Sequence, residues 1–164
     1  MGTRRARDRA GVTALEFAFI APVLLALAAL LIEAGWQLAT QAALEYGARQ
    51  AARFGATGSA VPASLASVTP PPTRAQAITQ LVTQAGHGII DGSRLSVSVQ
   101  SFAGFPVIGQ AGAATPGPGG GGAVAQYALV YQQPYLTGFG QAILGSSFQL
   151  HHANLVVQNE PFPR

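Results

Sequence analysis

The most apolar stretch of the chain is "FAFIAPVLLALAALLI", Phe17 to Ile32, sixteen residues without a charge. As a helix rising 1.5 Å per residue it covers about 24 Å, slightly less than a bilayer core of about 30 Å. Counted from Val12 to Trp36 it is long enough, with Glu16 and Glu33 near its two edges. Beyond it, "ATQAALEYGARQAARFGA" is rich in alanine and has high helix propensity. Glu45 and Arg49 stand four apart in the favourable order. "GATGSAVP" then supplies a stop. The pattern predicts one helix to about Ala56, a transmembrane part over 12–36 and an outer extension over 37–56. Gly35, Ala39, Ala43, Gly47, Ala51 and Gly55 recur every four residues. Such a row of small side chains permits close helix packing, here on copies of the same helix. Pro22 removes one backbone hydrogen bond and crowds the carbonyl of Ala18. It reads either as a kink of the kind membrane helices tolerate or as a bend that fits the helix among neighbours.

Residues 57–72 read as a linker ending in "TPPPT". Thr73 is an N-cap candidate for "RAQAITQLVTQA", in which Ile78, Leu81, Val82 and Ala85 share a face, and Gly86 and Gly88 end that helix. "RLSVSVQSF" alternates at Leu95, Val97 and Val99, which predicts a strand with one buried face. "AVAQYALVYQQP" and "FQLHHANLVVQ" are two further strand candidates. The glycine-rich segment 109–122 between the first two predicts a flexible loop with no part in the core. The fold class is therefore α+β. A long, partly transmembrane N-terminal helix precedes a small head, 73–164, of one helix on a mostly antiparallel sheet. The outer half of the long helix is free to join the same core.

Charge adds an asymmetry. Of 164 residues only 9% are charged, lysine is absent, and the net charge is +3. Arg4, Arg5, Arg7 and Arg9 flank Asp8 at the tip, whereas from Gly11 onward five arginines meet five acids. There is no basic face for nucleic acid, only a basic end. Arginines before the apolar run and none just after it predict the N-terminus on the cytoplasmic side and the head outside, with Trp36 as an interfacial anchor. Three readings of this end compete. It is a cleaved secretory signal, although no small-x-small site closes the run. It is a plain single-pass anchor carrying a periplasmic binding or scaffold module. Or it is a prepilin-type leader, cut after Gly11 on the cytoplasmic side, with the helix retained. The third reading accounts for Gly11 and Glu16 together. Val12 becomes the first residue, its amine one turn from Glu16, and an acid in the first turn suits the helix dipole. An uncompensated acid in lipid costs about 2.5–3.5 kcal/mol, so Glu16 needs a partner, and the amine of a neighbouring subunit supplies one.

With Glu16 followed by the aromatic Phe17, Pro22 inside the span, Glu33 near its end and "ALEYGARQAAR" beyond, residues 11–58 resemble the N-terminal region of TadE-like pseudopilins. The C-terminal "ANLVVQNEPF" is similar to how some members end. The resemblance implies a pilin-like protein of the tight-adherence (Tad/Flp) pilus machinery, of TadE or TadF type, with a structural role in adhesion or biofilm pili. It implies a bacterial inner-membrane protein with its head in the periplasm, processed by a prepilin peptidase. The implied partners are other pilins and pseudopilins, inner-membrane Tad assembly proteins and membrane lipid. Incorporation into the pilus itself is a further implication.

Catalytic chemistry finds little to work with. His151 and His152 are adjacent, so on a strand they point to opposite faces, and with His87 they read as surface or turn histidines. "GPGGGG" and "GFGQAILG" read as plain loops, since no lysine completes a phosphate loop. No "GxSxG" elbow occurs, and cysteine is absent. Asp91 lies in the turn signal "DGS". No enzyme, cofactor or metal site is expected.

Overall fold

The computed structural model describes residues 3–57, 69 and 72–161, with side chains from Val12 onward. Most of the expected linker 57–72 therefore lies outside the described residues, as do Met1 and Gly2 of the expected leader. The elements run α1 (Thr3–Thr57), α2 (Arg74–Ala85), β1 (Leu95–Phe102), β2 (Thr115–Pro116), β3 (Val124–Pro134), α3 (Gly138–Leu144) and β4 (Phe148–Gln158). Short 3-10 turns at Gly92–Arg94 and Phe105–Val107 complete the chain. The fold is α+β, a long apolar helix followed by a head built on a four-stranded sheet of order β2-β1-β3-β4. Two compact units divide it. One comprises Met1–Gln37 with Pro134–Phe148, the other Leu38–Gln133 with Gln149–Arg164.

In the second unit the alternation read from sequence becomes the sheet's inner face. Antiparallel pairing sets Leu95 opposite Tyr131, Val97 opposite Leu129, Val99 opposite Tyr127 and Ser101 opposite Ala125. All eight lie on one side of the pleat, where cross-strand neighbours stabilise the pair. Against this face pack Ile78 and Val82 of α2 and Leu44, Ala48 and Ala51 of α1, all buried. The outer half of the long helix thus belongs to the head's core. Gly47 lets the helices close up, since a Cβ there would lie 3.0 Å from both the Val82 Cγ1 and its carbonyl oxygen.

Local chemistry fixes the element ends. Thr73 caps α2, accepting from the Gln76 amide while the Gln76 side chain accepts from the Thr73 amide, a reciprocal capping box. Two of the last carbonyls of α1 are satisfied from a distance. Arg74 donates to the Phe54 carbonyl at 3.1 Å with its guanidinium over the Phe54 ring, and the Glu160 amide donates to Ala56 at 3.0 Å. Asp91 caps the turn that leads into β1, accepting from the Ser93 hydroxyl and amide, which hold its carboxyl below the usual range.

Three sequence expectations need correction. The glycine-rich segment is held in place: β2 pairs with β1, and buried Asn159 donates to the carbonyls of Pro118 and Gly120 at 2.8 and 2.9 Å. "GFGQAILG" is not a plain loop but contains α3, so the chain has a second short helix after α2. His151 is buried, not a surface or turn histidine, and its Nδ1 lies 2.9 Å from Gln41 Oε1. His87 and His152 are exposed as expected.

Candidate functional site: the apolar half of the long helix

The first unit carries the features that chemistry can use. From Val12 on, α1 contains an eighteen-residue window of mean hydropathy 2.5, none of it covered by the rest of the chain. It is the one helix among the described residues long and apolar enough to cross a membrane. Phe17 and Phe19 are 68% and 74% exposed, and Leu24, Leu25 and Leu31 are also open. Water would penalise such a surface heavily, and lipid or neighbouring apolar helices would not.

Gly11 lies within α1, and Val12 is exposed beside it. Glu16 is exposed and makes no ion pair or hydrogen bond among the described residues. Pro22 sits inside the helix with its ring exposed. The row of small residues is divided. A Cβ at Gly35 would meet nothing within 4 Å, Ala39 and Ala43 are half-buried, and Gly47 is packed against α2 of its own chain. Glu45 and Arg49 pair at 3.8 Å in full view of solvent, where such a pair contributes little.

Glu33 behaves quite differently from Glu16. It is buried, and its carboxylate accepts from Gln37 Nε2 at 2.9 Å and from the amide and hydroxyl of Thr137 at 2.9 and 3.1 Å. Thr137 is the N-cap residue of α3, and its own side chain makes no capping bond there. The acid at the far edge of the apolar run therefore ties down a segment 104 residues further on. α3 sits on the ring of Tyr135, which a Cβ at position 140 would strike at 2.6 Å, so Gly140 is required there. Nothing in the sequence near Glu33 signals this tie, because its partner is remote.

No group of three or more His, Asp or Glu suited to a metal occurs among the described residues. In the second unit a cleft of about 280 Å³ between α1 and β4 is lined by Glu45, Arg49, His152 and Asn154, with no nucleophile and base in the arrangement an acyl transfer needs.

The family model described as TadE-like protein matches residues 11–53. The chain carries a TadE-like segment. That segment starts at Gly11, spans Glu16, Pro22 and Glu33, and ends inside the helical part that forms the head's core. No curated protein and no solved structure matches the chain.

Proposed function

We propose that this chain is a minor pseudopilin of a Tad/Flp-type pilus assembly machinery, held in the bacterial inner membrane by α1 and cut after Gly11 by a prepilin peptidase. One observation carries the reading: Glu16 is a lone, unpaired carboxylate on an otherwise apolar helix surface, inside the TadE-like segment. In lipid such a group costs about 2.5–3.5 kcal/mol until it finds a cation. Cutting at Gly11 creates one, the amine of Val12, and a neighbouring subunit can present it. That the family match begins at Gly11, the last residue of the proposed leader 1–11, and takes in none of the arginine-bearing tip before it supports treating that leader as separable. The role is structural, in starting or extending the assembly, with the head outside the membrane.

Mass spectrometry of the chain from the membrane fraction tests the cut. The expected N-terminus is Val12, and Gly11→Val retains the leader because a β-branched side chain blocks the peptidase site. An intact Met1 end on the membrane-bound form would sink the processing step and leave an uncut single-pass anchor. Glu16→Gln separates the next step. It is expected to be processed normally yet to fail to co-purify with other pilus subunits. Normal incorporation of that variant would remove the pairing role.

A further inference from the structure

We infer that the excursion between β3 and β4 is a second membrane contact, with α3 and its flanks seated in the lipid interface where α1 leaves the bilayer. The inference rests on the reading of α1 as a membrane span. Four observations lead to it. Residues 134–150 contain no charged side chain. Leu136, Phe139, Ile143, Leu144 and Phe148 are all exposed, Ile143 by 63%. Gln141 is the sole polar side chain of α3, which makes the helix apolar nearly all round.

Position is the second observation. Glu33 holds Thr137 at 2.9 Å, and Glu33 is the first charged residue after the uncharged run Phe17–Ile32. From Val12 to Glu33 the helix rises about 32 Å, the thickness of the hydrocarbon core. The tie thus places α3 at the level of the headgroups. Third, Leu31 and Ile32, just before Glu33, are as exposed as α3 itself, so the open apolar surface of the span runs up to the residue that holds Thr137. Fourth, Trp36 and Tyr135 belong to the same unit as α3, and Trp and Tyr are the residues enriched where a chain meets a membrane surface.

A short helix of this kind lies in the interface rather than crossing it. A second copy of the chain is the weaker occupant. Seven helical residues run about 10 Å, and one face of a helix about 10 Å across covers on the order of 100 Å² over that length, far short of the roughly 800 Å² per partner of a stable interface. Glu33 completes the device, since its carboxylate is engaged by three protein donors and need not face lipid.

The absence of cysteine makes the test direct. Single-cysteine variants of the full chain, Ile143→Cys and Leu24→Cys, are labelled with bimane. They are reconstituted in phosphatidylcholine–phosphatidylglycerol vesicles, fewer chains than vesicles. Some vesicles carry a lipid with a nitroxide high on its acyl chain. The expected result is quenching at 143 comparable to that at 24 and several-fold above the free dye–cysteine adduct, with protection from aqueous iodide. Quenching at 24 with an iodide-accessible, unquenched label at 143 overturns the inference and leaves the span standing. Failure at 24 as well removes the span and the inference together. Protection at 143 that arises only when protein density is raised assigns the surface to a second copy and overturns the lipid contact.

Discussion

Gly47 and Gly35 belong to one row of small residues, yet their surroundings are opposite. A methyl at 47 meets the side chain and backbone of Val82 at 3.0 Å, whereas one at 35 meets nothing. Overpacking costs about 1–3 kcal/mol, while alanine gains about 1 kcal/mol over glycine as a helix former. Calorimetric melting of the full chain in detergent should therefore show Gly47→Ala lowered and Gly35→Ala unchanged or raised. Equal shifts would mean that the row is not divided as described. His151 gives a second test. Gln41 uses its amide nitrogen on Glu45 Oε1 and the His152 carbonyl, so its oxygen must accept, and His151 carries the proton on Nδ1. Burial, aided by His152, holds the His151 pKa below the ordinary imidazole value. The unfolded chain then binds a proton that the folded chain refuses. Stability from this site is complete above about pH 6.5 and falls as pH drops from there towards the folded pKa. His151→Gln should flatten that decline in melting temperature, and an unchanged slope would assign it to other groups. From sequence this burial was ambiguous. His151 shares its parity on β4 with Ala153, Leu155 and Val157, but the opposite parity offers Leu150 and Val156. Only the packing of α1 decides the face.

At the scale of elements, what the sequence revealed depended on how far away each element's partners lie. α2 was legible because its cap is local: Thr73 and Gln76 serve one another. Thr73→Ala removes that box and should destabilise the head by about 1 kcal/mol, read as a lower melting temperature, with Thr73→Ser close to the parent. β1 and β3 were legible because Leu95, Val97 and Val99 alternate, and so do Tyr127, Leu129 and Tyr131. α3 was not. Its seven residues include Gly138 and Gly140, poor helix formers, and it owes its place to Glu33, 104 residues earlier. β2 is two residues long and exists only through its pairing with β1. Glu33 itself was legible as an acid at the edge of a span, not as a tie. Glu33→Ala should release α3. Charge-assisted hydrogen bonds contribute about 1.5–3 kcal/mol each, so amide exchange over 137–144 should accelerate about tenfold or more. Exchange at β1 and β3 should hold steady. Unaltered exchange over α3 would show that Tyr135 and Gly140 alone keep it in place.

For the whole molecule, the decisive feature is that α1 serves two environments with one continuous helix. Up to Gln37 it presents an apolar surface to the outside; from Leu38 it supplies core to the head. Leu44 is fully buried, Ala48 and Ala51 nearly so, and Gly55 approaches the Tyr127 ring at the distance a Cβ would foul. Burying one leucine side chain is worth about 1.5–3 kcal/mol, and a domain's net stability is about 5–15 kcal/mol. Removing this stretch would also uncover Ile78, Val82 and Tyr127 and strip the Arg74 and Glu160 bonds from the helix end. The summed loss is then comparable with the whole of that net stability. Two truncations follow from this arithmetic. A chain beginning at Leu38 keeps every α1 residue of the core and should give a dispersed amide spectrum and a cooperative melt in mild detergent. A chain beginning at residue 58, although it retains α2 and the entire sheet, should give neither. If the shorter chain folds cooperatively, α1 merely leans on a self-sufficient head, and the match to the TadE-like segment over 11–53 would mark an anchor alone. If it does not, that segment is anchor and core at once, and substitutions at Leu44 or Ala48 will lower the amount of folded protein without touching the span.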